Sequence, residues 1–581
     1  MIPRPEYPDP QFERSEWINL NGVWEFEEDP TVSGEARGLA GAAHLAETIT
    51  VPFCPESRLS GLERRDFHTC VWYRRELTVP DAWRQGRVFL HFGAVDHTAT
   101  VWLNGRQIGT HCGGYASFSL ELTDFLQDGT NVLTVRALDD DRNPRWGHGK
   151  QSREYRSHRC YYTRVTGIWQ TVWLEYTPRC YVERICLVPD ADNSALGLSA
   201  DLRGGGILRA VASYAGKPVG SLTLKAQNGG HVTGTMPLSE CHLWEIGQGR
   251  LYDLELTYGE DHVRSYFGLR SQAFDGYRFL LNGKSVFQRL VLDQGYYPDG
   301  VYTAPYDAAL ERDIELSMAC GFNGARLHQK VFEPRFLYHC DRAGYLVWGE
   351  YGNWGMDYSD PTVIPPLLAE WTEILHRDRN HPSVIGWCPL NETWDYDGRR
   401  QNDDLLRTLY RQTRALDPTR PCIDTSGAYH VETDLYDLHD YIQDPEEFAG
   451  LYAAQLPEAS VEKYLVRHKK GGLHQGQYRP GQPFWISEYG GIKWDGAAVS
   501  DAWGYGDAPK TEEEFLERYR GLTDILLDNP YLFGFCYTQL YDVEQEANGL
   551  YTYDRRAKFD PAVFRSVNSR TAVIEKEEEE T

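Results

Sequence analysis

Two short segments of the chain place a carboxylate directly after an apolar, strand-like run. The run that begins at Ser383 ends in Asn391-Glu392, and the run that begins at Phe484 continues through Trp-Ile-Ser to Glu488. Parallel strands of a barrel deliver catalytic side chains to the rim in this way. Two carboxylates across a pocket can cleave a glycosidic bond, because one protonates the departing oxygen and the other attacks the anomeric carbon. The two segments therefore indicate a glycosidase.

Strands and helices must alternate around these segments to bring both carboxylates to one rim. From Asn282-Gly283 onward, strand-like runs alternate with amphipathic stretches, which predicts a parallel sheet. At this length a closed (β/α)8 TIM barrel over 273–570 is expected. The predicted helices cover 305–319, 333–343 and 364–378, with Pro305 in the first turn of its helix, where it is tolerated.

The residues before the barrel are rich in short alternating runs separated by turn residues. Asn104-Gly105 between two such runs is a strong hairpin signal, and residues 1–179 are predicted to form a jelly-roll β-sandwich. Residues 180–272 continue in strands, and the length suits an immunoglobulin-like sandwich. At the other end, the charged residues of 571–581 are expected to form a solvated acidic tail.

Composition argues against several classes of partner. The 581-residue chain has a formal net charge of −26 and no apolar run of membrane-spanning length, so neither nucleic acid nor a membrane is expected to bind it. A carbohydrate is a more suitable partner than nucleic acid or a membrane, since the 17 Trp and 37 Tyr provide aromatic rings on which sugar faces can stack. The twelve scattered cysteines and the absence of a signal-like start favour free thiols and a cytoplasmic location. A homo-oligomer is left open.

Several motifs resemble glycoside hydrolase family 2, and together they cover almost the whole chain. Leu20-Asn-Gly-Val-Trp and Gly167-Ile-Trp-Gln resemble the sugar-binding sandwich of that family, and Gly321-Phe-Asn-Gly-Ala-Arg-Leu-His resembles an early barrel strand. The resemblance implies a β-sandwich, an immunoglobulin-like domain and a catalytic barrel. It also implies a retaining reaction with Glu392 as acid/base and Glu488 as nucleophile.

Two departures from the family concern the metal and the sugar. After Glu350 the chain reads Tyr-Gly-Asn-Trp-Gly-Met, which lacks the Glu and His that hold magnesium in metal-dependent β-galactosidases. No metal and no other cofactor is therefore expected. The late segment from Asn548 to Arg555 lacks the Asn-x-Lys element by which β-glucuronidases bind a carboxylate. A neutral terminal sugar is therefore expected.

Further polar and aromatic residues accompany the two motifs or end other strand-like runs. Arg326 is expected to orient Glu488, with a salt bridge at the rim of the core as the alternative. Asp293-Gln294 closes the first barrel strand and is expected to bind hydroxyls, with capping of the loop as the alternative. Asp139 to Asp141, Lys150 and Gln151 lie in a long loop of the first sandwich, which either reaches over the site or is solvated. The candidate substrate-binding residues are Asn391, Asp293, Gln294, Arg326, His328, Lys150, Gln151, Trp394 and Tyr489, and weaker candidates are Gln539, Asp542 and Asn548.

The sequence thus predicts a retaining exo-glycosidase that releases one neutral sugar, with a β-galactoside favoured. A β-mannoside, an α-L-arabinofuranoside and a β-galactofuranoside are the chemical alternatives. A noncatalytic carbohydrate-binding protein is the alternative from another class. The presence of both carboxylates in their motifs argues against that last alternative.

Overall fold

Three folded units follow one another along the chain, two β-sandwiches and a barrel. The computed structural model describes residues 2–427, 430–468, 478–494 and 502–576. This architecture confirms the fold class predicted from the sequence. Residues 577–581 of the predicted acidic tail lie outside the described residues.

The first sandwich consists of two antiparallel sheets with strand orders β1-β12-β5-β9 and β3-β2-β4-β10-β7-β8. Alternation in the sequence sets the faces, so Trp24 and Tyr73 from one sheet meet Leu90 and Leu174 from the other in a shared core. The strands are β1 (Trp17–Asn19), β2 (Gly22–Glu28), β3 (Glu47–Val51), β4 (Cys70–Thr78), β5 (Arg87–Phe92), β6 (Val95–Asp96), β7 (Thr98–Leu103), β8 (Arg106–Cys112), β9 (Phe118–Glu121), β10 (Thr130–Leu138), β11 (Gly167–Ile168) and β12 (Val172–Thr177).

The second sandwich packs a sheet of order β13-β14-β17 on a sheet of order β16-β15-β18-β19. Leu198 and Leu254 contribute to the core between them. The arrangement of three and four antiparallel strands agrees with the predicted immunoglobulin-like domain. The strands are β13 (Tyr181–Asp190), β14 (Ala195–Arg203), β15 (Gly206–Tyr214), β16 (Lys217–Ala226), β17 (Gly229–Pro237), β18 (Tyr252–Tyr258) and β19 (Asp261–Phe267).

The barrel strands are all parallel and follow the order β26-β25-β24-β23-β29-β28-β27. The segment Cys422 to Ser426 extends the sheet beyond β26 through parallel bridges to Trp387 and Asn391. A small meander of β20 (Gln272–Asp275), β21 (Arg278–Leu281) and β22 (Lys284–Ser285) precedes the barrel. The barrel strands are β23 (Gln288–Asp293), β24 (Gly324–Leu327), β25 (Leu346–Glu350), β26 (Val384–Cys388), β27 (Tyr436–Asp440), β28 (Phe484–Gly490) and β29 (Gly534–Thr538).

Helices cover the outside of the barrel close to the predicted positions. The helix predicted over 305–319 begins only at Asp307, so the placement of Pro305 in its first turn is wrong and this proline precedes the helix. The other two predictions agree with the structure to within one residue. The helices are α1 (Asp307–Ala319), α2 (Pro334–Ala343), α3 (Ile364–Asp378), α4 (Asp403–Leu416), α5 (Pro445–Tyr452), α6 (Pro457–His468), α7 (Glu512–Leu527) and α8 (Pro561–Asn568).

Large apolar side chains fill the interior of the barrel. The Trp348 and Trp485 rings stack with centroids 5.3 Å apart, and Phe533 stacks on Trp485 at 5.5 Å. Leu281 of the meander belongs to the same cluster, so this part of the barrel is a packed core. Polar side chains are left at the carboxyl ends of the strands, where a pocket can form.

The first sandwich is joined to the barrel through polar contacts. Glu370 of α3 accepts a hydrogen bond from the Tyr115 backbone N–H at 2.7 Å and another from the Tyr351 hydroxyl at 2.7 Å. Gly149 has φ +58°, and a Cβ there would lie 2.2 Å from the Gln329 carbonyl oxygen. Only glycine allows so close a backbone approach, which brings the loop after β10 onto the barrel rim.

Three further predictions concern the chain end, the membrane and the cysteines. The predicted solvated tail over 571–581 is wrong for Glu575, whose carboxylate accepts hydrogen bonds from Arg289 at 2.6 Å and from the Phe287 N–H at 2.8 Å. No helix in the described part of the chain combines the length and the apolar character that crossing a bilayer requires. All twelve cysteines carry free thiols, as predicted, and seven of them are buried.

Candidate active site

Glu392 and Glu488 meet at the carboxyl ends of two barrel strands. Glu488 lies within β28, and Glu392 follows β26 by a few residues. One oxygen of each carboxylate and one nitrogen of His439 all lie within 4.8 Å of one another. Carboxyl groups about 5 Å apart suit a covalent intermediate, whereas inverting enzymes need a wider gap for water. The pair therefore has the spacing of a retaining glycosidase.

The buried Arg326 guanidinium connects four strand ends of the site. It donates to Glu488 at 3.1 Å and to the Ser487 carbonyl at 2.7 Å. It also donates to Glu350 at 2.6 Å and to the Asn391 side-chain oxygen at 3.0 Å. The expected contact between Arg326 and Glu488 is therefore present, and the same side chain also forms the salt bridge considered as its alternative.

Three donors converge on the carboxylate of Glu488. The Tyr441 hydroxyl donates to Oε2 at 2.5 Å, while Arg326 and a ring nitrogen of His439 approach Oε1 at 3.1 and 3.4 Å. The Tyr441 ring stacks parallel on Tyr505, with centroids 3.4 Å apart. These contacts fix the direction of the Glu488 carboxylate, as an attacking group requires.

Glu392 occupies a more open position in a strained backbone. Its side chain is 34% exposed, and its Oε1 lies 2.6 Å from His439 Nδ1. The residue has φ +47°, in the left-handed region that is costly for side chains other than glycine. Neighbouring Gly427 leaves the space for it, because a Cβ there would lie 3.0 Å from the Glu392 Cγ and 2.8 Å from His439 Nδ1. The carboxylate is thus accessible to a leaving group.

His439 lies between the two carboxylates, and their charges favour its protonated form. Burial alone lowers its pKa, but Glu488 and Glu392 outweigh burial and raise it. Its Nε2 also lies 2.9 Å from the Ser426 hydroxyl, which donates to Asp437 at 2.5 Å. The imidazolium reduces the repulsion between two carboxylates held at close range.

Asn391 is positioned by hydrogen bonds on three of its groups. Its side-chain oxygen accepts from Arg326, its backbone N–H donates to Asn353 Oδ1 at 2.9 Å, and its carbonyl accepts from Asn353 Nδ2 at 2.9 Å. The Asn391 Nδ2 atom is buried and makes no hydrogen bond within the described residues. A sugar hydroxyl is a suitable acceptor for it.

Glu350 and His328 form a buried layer beneath the catalytic pair. His328 Nδ1 lies 3.0 Å from Glu350 Oε2 and 3.9 Å from Glu488 Oε1. Burial, assisted by the charge of Lys150, lowers the pKa of His328 well below its usual value. His328 is therefore a neutral ring close to the carboxylate of Glu488, and its predicted role in substrate binding stays a prediction.

The long loop of the first sandwich forms one wall of the pocket. The Lys150 ammonium lies 5.2 Å from the centre of the Trp354 ring and 5.9 Å from that of Tyr162. Burial alone lowers the pKa of Lys150, but surrounding acidic groups, Glu546 ahead of the catalytic pair, raise it. The charges of Glu546, Glu488 and Glu392 therefore favour the ammonium form of Lys150.

A chain of amides forms the wall on the side of β23 and β29. Gln294 donates to Gln539 Oε1 at 2.7 Å, Gln539 donates to Asn548 Oδ1 at 2.8 Å, and Asn548 donates to Glu546 Oε1 at 3.0 Å. Glu546 also accepts a short hydrogen bond from the Tyr162 hydroxyl. These residues form one connected polar wall that ends in a buried carboxylate.

Aromatic side chains surround the outer opening. Trp394 is 37% exposed and contacts the edges of Trp354 and Tyr358, with ring centroids 6.1 and 5.7 Å away. It also lines a cavity of about 250 Å³ together with His158 and Tyr161 of the sandwich loop. An exposed indole at this place is suited to stacking on a sugar ring.

The structure contradicts two of the predicted binding residues. The Gln151 amide donates to Asp96 at 2.8 Å and accepts from the Val165 N–H at 2.7 Å, so it is fully engaged inside the sandwich. The Tyr489 hydroxyl lies 2.8 Å from Thr523 of α7, on the outside of the barrel. Since Glu488 points inward, its neighbour on the strand points to the opposite face.

Two other candidates are held by their own surroundings. Asp293 Oδ1 accepts from the Tyr541 hydroxyl at 2.5 Å and from the Gly295 N–H at 2.9 Å, and burial raises its pKa to about 6. Asp542 accepts from Lys558 at 2.6 Å. These contacts fit the loop-capping alternative for Asp293.

His439, Tyr441 and Glu546 are functional candidates that the sequence reasoning missed. The polar side chains of Asp437, His439 and Tyr441 recur with period two, which is typical of a strand with one polar face. That signal was available, but β27 lacks the long apolar run that marks β26 and β28. Glu546 lies in a loop, where periodicity gives no information.

Comparison with known proteins agrees with this architecture. The sugar-binding domain of glycosyl hydrolases family 2 matches residues 60–178, and the TIM barrel domain of the same family matches residues 303–559. The chain therefore belongs to glycoside hydrolase family 2 and is a retaining glycoside hydrolase. The family predicted from the motifs is confirmed.

The relatives in sequence include proteins named β-glucuronidase and proteins named β-galactosidase, and the structural neighbours include β-glucuronidases. A β-glucuronidase of Paenibacillus borealis is 25% identical over 94% of this chain and 96% of its own length. A β-galactosidase of Thermoanaerobacter pseudethanolicus is 23% identical over 71% of this chain and 55% of its own length. The structure of a Ruminococcus gnavus β-glucuronidase has TM-score 0.76 at 20% identity, covering 97% of this chain and 99% of that one. The structural likeness concerns the fold.

The position of Lys150 generates a first prediction. Lys150→Met should raise KM by roughly tenfold, because the loss of one charged hydrogen bond to a sugar costs about 1.4 kcal/mol. Arg142→Met is the matched control, since Arg142 is an exposed cation of the same loop and its guanidinium donates to the Arg153 carbonyl. Steady-state kinetics on one nitrophenyl glycoside measures both. Equal KM values for the two variants would show that Lys150 does not contact substrate.

Proposed function

We propose that this glycosidase releases a single neutral sugar, with a β-galactoside favoured, from the non-reducing end of its substrate. The observation that carries the proposal is the balance of charges around Lys150, the cation contributed by the sandwich loop. Burial lowers the pKa of Lys150, and the charge of the buried Glu546 carboxylate is the largest of the contributions that raise it. The wall therefore supplies its own anion and does not require one from the sugar.

In the first step, an oxygen of Glu488 bonds to the anomeric carbon while the bond to the leaving oxygen breaks. Glu392 donates its proton to that oxygen, so the aglycone departs as an alcohol. The donors Tyr441 and Arg326 on Glu488 direct its attack. The Asn391 Nδ2 is available to bind a sugar hydroxyl during this step.

In the second step, Glu392 acts as a base. It removes a proton from a water molecule, whose oxygen bonds to the anomeric carbon as the bond to Glu488 breaks. His439 remains near both carboxylates throughout. Its positive charge supports the negative charge that moves from Glu488 to Glu392 as the cycle proceeds.

The exo mode is supported by the way in which the loop after β10 covers one side of the barrel rim. The His148 N–H donates to the Trp354 carbonyl at 2.8 Å, and the Gln545 side chain donates to the Tyr161 carbonyl at 3.0 Å. These contacts bring Lys150 and Tyr162 across the barrel opening. A pocket with a closed end accommodates one terminal sugar better than a continuing chain.

A β-glucuronide is the second candidate, because most of the relatives named above are β-glucuronidases. Its C6 carboxylate could bind to Lys150. The nearby Glu546 carboxylate would repel it, however, and Asn548 is neutral. The β-galactosidase among the relatives favours the neutral sugar.

The role of Glu392 leads to a prediction about leaving groups. Glu392→Ala should slow cleavage of an alkyl glycoside by about 100-fold or more, within the usual range for general acids. An activated dinitrophenyl glycoside should be affected far less, because its leaving group needs no proton. Single-turnover rates on the two substrates give the comparison. An equal loss on both would exclude Glu392 as the proton donor.

Substrate choice is tested with a panel of nitrophenyl glycosides. The panel contains β-galactoside, β-glucuronide, β-mannoside, α-L-arabinofuranoside and β-galactofuranoside. We expect the highest kcat/KM on the β-galactoside and at least about 100-fold less on the β-glucuronide, the scale of an unpaired charge in the pocket. The highest kcat/KM on another neutral glycoside would replace galactose as the proposed sugar but would keep the proposed class of neutral substrates.

Glu546→Gln provides the control for the charge argument. The variant keeps the shape of the side chain and removes the negative charge, so the ratio of glucuronide to galactoside turnover should rise. A wild-type preference for the glucuronide would contradict the proposed neutral sugar, and an unchanged ratio in Glu546→Gln would contradict the role of the Glu546 charge in excluding the glucuronide.

A further inference from the structure

A second cluster of ionisable side chains lies inside the first sandwich, away from the catalytic pair. One oxygen of Asp139, one oxygen of Asp141 and one ring nitrogen of His148 all lie within 4.8 Å of one another. The three residues are only 3%, 4% and 2% exposed. From the sequence, these aspartates are expected in a loop that either reaches over the active site or is solvated, whereas the structure buries them.

The carboxylates of this cluster have too few partners. Asp139 Oδ1 and Asp141 Oδ1 are buried and form no hydrogen bond within the described residues, and the same holds for Oε1 of the neighbouring Glu56. The Arg164 guanidinium approaches Asp141 only to 3.9 Å. Burial and mutual repulsion raise the pKa of Asp139, and burial raises that of Asp141 to about 7. Unpaired buried carboxylates are costly, so a positive ligand would stabilise them.

His148 supplies an independent observation that indicates what kind of ligand fits. Its Nε2 lies 3.0 Å from the Asn143 carbonyl oxygen, so Nε2 carries the proton and Nδ1 has the lone pair. Burial lowers the pKa of His148 to about 4, which keeps the ring neutral. Histidines that bind metals commonly donate their other N–H to a backbone carbonyl in this way. A neutral imidazole has no positive charge, so His148 alone would not compensate the negative charges of Asp139 and Asp141.

We propose that Asp139, Asp141 and His148 bind one divalent transition-metal cation, of the class represented by Zn²⁺ and Mn²⁺. Two carboxylate oxygens and one imidazole nitrogen form a mixed ligand set that suits these ions better than Ca²⁺ or Mg²⁺. The competing explanation is a proton shared between the two aspartates. The absence of magnesium ligands after Glu350 concerns the barrel and does not bear on this site.

The cation would fix the loop that forms a wall of the active site. Asp139 directly follows β10, and His148 stands two positions before Lys150. The ligands of the proposed cation would therefore connect the beginning of the loop to the turn that contains Lys150. The cation acts on structure and takes no part in glycoside cleavage, so its binding is measurable whether or not the proposed sugar is correct.

Metal binding is tested on the full-length protein. After treatment with EDTA and removal of the chelator, the protein is titrated separately with Zn²⁺, Mn²⁺, Ca²⁺ and Mg²⁺, and bound metal is measured by elemental analysis. We expect one equivalent of Zn²⁺ or Mn²⁺ per chain and a rise of the unfolding temperature on the order of 5 °C at saturation. Tighter binding of Ca²⁺ or Mg²⁺ would contradict the metal class, and binding of none would support the shared proton.

Two variants and a matched control locate the site. Asp141→Asn and His148→Gln should each weaken metal binding by more than about 100-fold, beyond the loss typical of outer-sphere partners. Asp140→Asn removes an acid between the two ligands whose Oδ1 accepts from the Arg142 N–H at 3.2 Å, and it should bind metal as the wild type does. Unchanged binding in both variants would exclude this site. If neither variant folds, the wild-type titration alone decides, because absence of stoichiometric binding overturns the proposal.

Discussion

The site depends on the ion pairs and hydrogen bonds of the buried Arg326 guanidinium. This group is wholly buried and needs acceptors on several sides, which Glu350, Glu488 and Asn391 provide from the ends of different strands. Removal of the guanidinium would leave the buried Glu350 carboxylate without its cation and Glu488 with His439 alone, and such losses cost several kcal/mol. The same contacts fix the positions of Glu488 and Asn391, so the packing of the barrel and the geometry of the chemistry have a common cause.

The barrel supplies the reacting groups, and the first sandwich supplies part of the pocket. Glycine at 149 permits the close backbone approach to Gln329 that brings Lys150 onto the barrel rim. The proposed choice of a neutral sugar follows from charge balance on that wall, where Lys150 is accompanied by Glu546. The proposed cation would bind Asp139, Asp141 and His148 of the same loop and so fix its position. Specificity in this account therefore depends on the contact between domains.

Sequence reasoning is most reliable where a local pattern determines the structure. The apolar runs before Glu392 and Glu488 predicted both strand ends, and the helix over 364–378 agrees with Ile364–Asp378. Tyr489 could have been excluded by the alternation of strand side chains. The engagement of Gln151 with Asp96 and Val165, and the meeting of Asp139 with His148, depend on tertiary packing. No spacing along the chain encodes those contacts.

The central claim is that Glu488 forms a covalent bond to the sugar, and trapping of that intermediate tests it most directly. A 2-deoxy-2-fluoroglycosyl fluoride of the best substrate sugar slows the second step more than the first, so the glycosyl-enzyme accumulates. Peptide mass spectrometry should find one sugar on the peptide that contains Glu488, and Glu488→Gln should remain unlabelled. A sugar attached to another carboxylate, or a product of inverted configuration with no adduct, would contradict the account.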